Sequence, residues 1–229
     1  MSAHQSEQRA SRMTDQQQTF SSRDLCTGAR LTEVVAAGEQ VVFGQKTISS
    51  DGKSSATNLF LHNASTMACT QVTRQQCGSC YNPVLGVDLP GCKDSLLYLK
   101  SSDQQVWALP MAGGESFKLT DLPIPVESFK IFRGSGTKIW MLCVMSVFPG
   151  MSPDETVGKD KALEGESSGM VFDQLMVRHW DQWGCYKKRN HLFLCQMGVN
   201  HEGLLKTSGN VYDLMFDWES DCPCKVYVL

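Results

Sequence analysis

The sequence predicts an all-β chain assembled from a repeated unit, on three observations. One phrase occurs twice, 47 residues apart. It runs Asn58-Leu59-Phe60-Leu61-His62, through Thr66-Met67, to Gln71-Val72-Thr73, and again Gln105-Val106-Trp107-Ala108-Leu109, through Gly113-Gly114-Glu115, to Lys118-Leu119-Thr120. In both copies an apolar-aromatic pair is followed 13 residues later by an aliphatic-Thr pair. A degraded third copy, Asn190-His191-Leu192-Phe193-Leu194, precedes Leu205-Lys206-Thr207, with 14 residues from Phe193 to Thr207. Finally, each copy follows an apolar run: Val41-Val42-Phe43, Leu96-Leu97-Tyr98-Leu99 and Ile139-Trp140-Met141-Leu142. A period in the forties with short paired strands is that of a β-propeller blade, whose faces are buried only against neighbouring blades. About three units fit between Asp24 and Thr207, fewer than the roughly four to eight that close a ring. The expected fold is therefore a partial, open β-propeller of about three four-stranded blades behind a disordered tail at 1–22.

The elements follow in order. The tail is rich in Gln, Ser and charge and has little capacity to bury surface. From Asp24 onward, short β-branched and aromatic runs alternate with Gly, Ser, Asn, Asp and Pro clusters. Strands are expected at 40–43, 58–62, 70–73, 96–100, 105–109, 117–120, 128–132, 138–147, 171–177, 191–196 and 225–229. Helical periodicity shows only at 30–37. The units run about 23–80, 81–130 and 131–229, and the third carries a polar insertion, 149–169, of loop composition. Residues 225–229 read as mid-strand, so the text is expected to stop before its architecture closes.

Composition excludes several classes of function. Net charge is −3 and the pI about 5.9, leaving no basic field to recruit nucleic acid or anionic lipid. No apolar run approaches the roughly 18 residues of a membrane span, and the N-terminus lacks the apolar region of a signal peptide. A cytoplasmic location is expected, so the sequon Asn63-Ala64-Ser65 carries little weight. The ten cysteines, including Cys143 and Cys195 inside strand-like runs, read as packed thiols.

Four constellations bear on chemistry. Gly165-Glu166-Ser167-Ser168-Gly169 has the spacing of a nucleophile elbow, which needs Ser167 on a strained turn between a buried strand and a helix. The polar text before it and the strand-like Met170-Val171-Phe172 after it favour a flexible acidic loop. Cys77-Gly78-Ser79-Cys80, with Cys92 nearby, and Cys222-Pro223-Cys224 could pair as a zinc site. Their separation is far from ribbon spacing, which favours loop thiols. Arg178-His179-Trp180-Asp181, with Trp183 and His191, reads as blade structure rather than a ligand cluster, and Lys187-Lys188-Arg189 as a solvated turn. Gly113-Gly114-Glu115 has hairpin-turn composition. No catalytic, cofactor-binding or metal residue is assigned, and no cofactor is implied.

Phe172 to Trp183, followed by Lys187-Lys188-Arg189-Asn190-His191-Leu192-Phe193, resembles the propeller of prolyl-oligopeptidase-family serine peptidases, in the acylaminoacyl-peptidase and dipeptidyl-peptidase-like branch. Arg23-Asp24-Leu25, Leu31-Thr32 and Gln40-Val41-Val42-Phe43 resemble the start of its first blade. Gln105-Val106-Trp107, Gly113-Gly114-Glu115 and Leu119-Thr120-Asp121-Leu122-Pro123 resemble its second. The resemblance spans roughly residues 20–220. It implies a propeller that screens access to an α/β-hydrolase domain cleaving short peptides with a Ser, Asp, His triad. The text departs from that plan in lacking the hydrolase domain. It also departs in lacking the usual Ser-Pro-Asp-Gly turn, both around Val35 to Glu39 and in the second unit, where Asn82 to Asp94 stands instead. Two readings stay open: a propeller fragment of such a peptidase, and a non-catalytic interaction module. A Cys-rich metal-binding domain is a third, weaker one. A peptide substrate is expected only in the context of a full-length parent, with no nucleic-acid or membrane partner. Open blade edges are expected to favour self-association and poor solubility.

Overall fold

Short runs of β-branched and aromatic residues, punctuated by turn formers, pair with their sequence neighbours in this chain. A computed structural model describes residues 28–49, 51–76, 78–166, 178–179, 182–183 and 187–222. Strands β1 (Arg30–Ala37), β2 (Gln40–Ile48), β3 (Ser55–Asn63) and β4 (Cys69–Gln71) form an antiparallel meander. A second comprises β5 (Gly78–Leu89), β6 (Cys92–Lys100), β7 (Gln105–Pro110) and β8 (Phe117–Lys118). In the third, β9 (Ser128–Arg133) and β10 (Ile139–Val147) lead into helix α1 (Pro153–Glu166). A two-residue hairpin follows, β11 (Arg178–His179) with β12 (Gln182–Trp183), before β13 (Arg189–Val199) and β14 (Leu205–Asp213) complete the meander. The first two meanders touch through a short parallel contact of β3 with β5, at Ala56–Gly78 and Thr57–Ser79. Among the described residues the sheets do not close on themselves, and the fold is an open, partial propeller. No described helix is long and apolar enough to cross a membrane.

The core consists of two interfaces between meanders. Val42, Leu59 and Leu61 of the first pack on Leu96, Tyr98, Trp107 and Leu109 of the second. The opposite face of the second, with Leu97, Leu99, Val106 and Ala108, packs on Met141, Cys143, Met145, Phe193, Cys195 and Met197 of the third. This explains two sequence patterns. Strand β6 is covered on both faces, so Ser95 to Leu99 is buried without interruption. Strands β10 and β13 pack one face on the second meander and largely alternate instead, Val144 being the exception. Full burial of each of the valine, leucine, methionine and phenylalanine side chains contributes about 1.5–3 kcal/mol. Gly91 supports the second interface directly. It turns the chain from β5 into β6 at φ 69°, its carbonyl accepts from the Leu205 amide at 3.1 Å, and a Cβ there would lie 2.6 Å from that nitrogen.

The structure corrects several sequence expectations. Residues 30–37 form strand β1, not a helix. A bulge between Leu31 and Val34 places both on one sheet face, opposite Gln45 and Phe43, so a strand irregularity mimics helical spacing. The polar insertion 149–169 is not all loop. It contains α1, whose start is a capping box: the Ser152 hydroxyl accepts from the Glu155 amide at 3.3 Å, and the Glu155 carboxylate accepts from the Ser152 amide at 2.7 Å. Pro153 follows at the position where its missing N–H costs nothing. The base of the insertion is held by Thr156, Lys188 paired with Asp160, and Lys159 at 4.1 Å over the Phe148 ring. Strand β5, Gly78–Leu89, was not among the expected strands and takes up the stretch from Asn82 as far as Leu89. Its pairing with β6 is broken by register shifts around Asn82, Pro83 and Gly86. The strands expected at 171–177 and 225–229, and the tail at 1–22, lie outside the described residues.

Candidate functional site

The recurring phrase encodes a buried polar clasp on strands β3, β7 and β13. In the first, the Asn58 side-chain oxygen accepts from the Thr73 hydroxyl at 3.3 Å and the Gln75 amide, while its NH₂ donates to the Gln75 carbonyl at 3.0 Å. The Thr73 hydroxyl accepts from the Leu59 amide at 2.8 Å. In the second, Gln105 takes the place of Asn58: it accepts from the Thr120 hydroxyl at 2.8 Å and the Leu122 amide at 3.0 Å, and donates to the Leu122 carbonyl at 3.2 Å. The Thr120 hydroxyl accepts from the Val106 amide at 2.9 Å. The 13-residue spacing thus runs from the aromatic two residues past the amide to the threonine that closes on that amide.

The third meander keeps the clasp with different chemistry. His191 occupies the position of Asn58 and Gln105 and is fully buried. Its ring lies between the Asp213 carboxylate, 2.8 Å from Nδ1, and the Trp218 carbonyl, 2.9 Å from Nε2. The Leu214 amide donates to the Leu192 carbonyl, as Val72 does to Leu59 and Leu119 to Val106. Leu214-Met215 therefore stands where Val72-Thr73 and Leu119-Thr120 stand, and the expected third copy at Leu205-Lys206-Thr207 is corrected. The β13–β14 hairpin is longer than its counterparts, so Thr207 falls opposite Met197, and its amide donates to Leu119 in the neighbouring meander at 3.1 Å. Residues 214–222 fold back along β13: Arg189 donates to the Glu219 carbonyl, Asn190 to Asp221, Gly150 to the Phe216 carbonyl, and Cys222 to the Asn190 carbonyl. Enclosed on both ring nitrogens, His191 offers nothing to a substrate and serves the fold.

The clasp fixes the direction of every meander. The residue after the amide (Leu59, Val106, Leu192) points forward, toward the next meander, and the following aromatic (Phe60, Trp107, Phe193) points back toward the previous one. Leu59, Val106 and Phe193 are buried in the two interfaces, and Trp107 packs at the first of them. Trp107 is further held by Asp103 at its indole nitrogen, 3.2 Å, and by Lys100 at 4.1 Å over the ring. Phe60 and Leu192 have no such neighbour among the described residues and are half-buried. Around Phe60, the back face of the first meander presents Phe43, stacked on it at 5.6 Å, together with Leu31 and Val34. Around Leu192, the front face of the third presents Leu142, Leu194, Tyr212 and Leu214. Among the described residues, two apolar faces without a facing meander thus end the stack.

Other sequence candidates disperse. Cys80 lies in the first interface and Cys92 in the second, and Cys222 is buried beside Asn190. Burial pushes the Cys80 and Cys92 thiols above the usual cysteine range. Cys77, Cys224, Ser167, Trp180 and Asp181 lie outside the described residues. No group of three or more potential metal ligands forms among those described. Gly113 and Gly114 form the β7–β8 turn with φ of 111° and 119°. A cleft between the second and third meanders is lined by Lys118, Thr120, Asp121, Lys206 and Thr207. There Lys118 is engaged by Asp103 at 3.2 Å and Asp121 at 3.5 Å. The clasp itself was missed from the sequence; the signal for it was the amide residue opening the first two copies, 15 residues before the threonine.

Clasped, stacked four-stranded meanders define the class: an open all-β repeat array with the fold of a partial propeller. No protein-family model and no curated protein matches the sequence. Among solved structures, the fold is similar to an acylaminoacyl peptidase in complex with Z-Gly-Gly-Phe-chloromethyl ketone, with TM-score 0.50, 11% identity, and coverage of 79% of this chain and 25% of that one. An acylaminoacyl peptidase of Pyrococcus horikoshii aligns with TM-score 0.48, 10% identity, and coverage of 81% and 25%. The chain spans about a quarter of the length of these peptidases. At such identity the likeness is one of fold, over a share in keeping with the propeller portion that the sequence resemblance implies.

Proposed function

We propose that this chain is the N-terminal propeller portion of a prolyl-oligopeptidase-like serine peptidase of the acylaminoacyl- or dipeptidyl-peptidase type, acting in the cytoplasm. In such a protein the propeller screens access, and hydrolysis of short peptides through a covalent acyl-enzyme belongs to the α/β-hydrolase domain. The observation that carries the proposal is the coincidence of two likenesses: a fold shared with an acylaminoacyl peptidase over 79% of the chain, and the family's phrasing from Arg178 to Phe193 and in the first two units. Fold alone does not establish activity, so the test is genetic and then enzymatic. Transcript sequencing across the codon for Leu229 is expected to run in frame into a hydrolase domain, and the full product to release acylamino acids from short N-acylated peptides or dipeptides from short peptides with a free N-terminus. A stop codon with no hydrolase sequence following in any transcript overturns the proposal.

The open apolar faces favour one second reading: a non-catalytic module that associates with other chains through them. It predicts that stop codon and a stable complex of the 229-residue chain.

A further inference from the structure

The two open faces are of opposite kinds. Both internal interfaces mate a forward-pointing face with a backward-pointing one: Leu59 and Leu61 with Trp107 and Leu109, then Val106 and Ala108 with Phe193 and Cys195. Among the described residues the stack ends in one unpaired face of each kind. The front of the third meander carries Leu142, Leu194, Tyr212 and Leu214, the last two 44% and 51% exposed. The back of the first carries Phe43, Phe60, Leu31 and Val34, the last two 69% and 63% exposed. Residues this apolar and this open are uncommon on a monomer unless they form an interaction surface.

We infer that a second copy of this chain seats its back face, at Phe43, Phe60 and Val34, on the front face of the first, at Leu194, Tyr212 and Leu214. The contact continues the established interfaces by one more step of the repeat, pairing a forward-pointing leucine with a backward-pointing aromatic. It is heterologous: each copy contributes a different patch, so the assembly either closes or propagates. Two copies bring six meanders together, inside the range of roughly four to eight that a closed propeller uses. Self-association of this kind concerns the 229-residue chain itself. A monomeric chain would leave the peptidase proposal untouched.

The experiment uses two variants of the full chain. Tyr212→Asp with Leu214→Asp blocks the front, and Leu31→Asp with Val34→Asp blocks the back. All four positions are substantially exposed, and near-ultraviolet circular dichroism checks that each variant folds. If either double variant misfolds, Tyr212→Asp or Val34→Asp alone replaces it. By sedimentation velocity at micromolar concentration the wild-type chain is expected as a dimer or higher assembly. Each blocked variant is expected as a monomer, its self-association weakened about tenfold or more. The two blocked variants mixed are expected to form a complex of one with one, through the remaining intact front and back. A monomeric wild-type chain overturns the inference. So does persistent assembly of both blocked variants, the mark of strand-edge pairing, or assembly of the back-blocked variant alone, the mark of a front-to-front contact.

Discussion

At the scale of single residues, the chain is held by side chains that a hydrophobicity pattern does not reveal. Gln105 satisfies the Thr120 hydroxyl, the Leu122 amide and the Leu122 carbonyl in a buried setting. Gln105→Leu strands those partners, so it should cost about 1–3 kcal/mol of stability. The expected result is a lower urea midpoint with an unchanged slope; an unchanged midpoint contradicts the clasp. The thiols give a pH-dependent test. The folded chain holds the protons of Cys80 and Cys92 to higher pH than the unfolded chain does. Their contribution to stability is therefore complete below the unfolded thiol range, about 8.5, and is lost as pH rises past it. The urea midpoint should fall between neutral pH and pH ~9.5, and iodoacetamide should modify exposed Cys69 well before Cys80 or Cys92. These residues show how far the site was legible. The threonines were visible because they recur at fixed spacing. Their partners were not, because Asn58, Gln105 and His191 share a position but no side-chain identity, and in the third meander Met215 stands in the threonine's place while Asp213, two residues earlier, meets His191.

At the scale of elements, legibility followed burial. β6, β7, β10 and β13 were readable because their apolar runs reflect one or two covered faces. β5 was not, since Asn82, Pro83 and Gly86 break both its pattern and its ladder. β1 was misread because a bulge sets Leu31 and Val34 three residues apart on one face. α1 was hidden because it has no apolar stripe; only Ser152-Pro153-Asp154-Glu155 announced it. That sets a prediction at this scale. Ser152→Ala removes the cap, worth about 0.5–2 kcal/mol to the helix. Amide exchange in Val157 to Lys161 should accelerate, while the global urea midpoint moves little, because the helix meets the core mainly through Thr156 and Val157. Equal acceleration in β10 would show instead that the helix is integral to the sheet. Gly91→Ala should act in the opposite way. A Cβ at φ 69°, against the Leu205 amide, disturbs the second interface, and the urea midpoint should fall by more than the roughly 1 kcal/mol of backbone strain alone.

At the scale of the whole molecule, one rule repeats: a clasp sets a strand, the strand aims one residue forward and the next one back, and each meander buries its faces only in its neighbours. Such arrays draw their stability from nearest-neighbour interfaces, so the second meander, covered on both sides, should be the most stable part and the outer meanders the least. The fold class and the repeat were legible in the sequence because they depend on this periodic burial. The opposite character of the two end faces was not, since it appears only once the register of every strand is known.

Hydrogen exchange resolved along the strands tests that arrangement most directly. The slowest amides are expected in β6 and β7, Leu96 to Leu99 and Val106 to Ala108, with faster exchange in β1 and β14. Exchange in β6 as fast as in β1 would contradict it, because the central meander would then not lie between the other two.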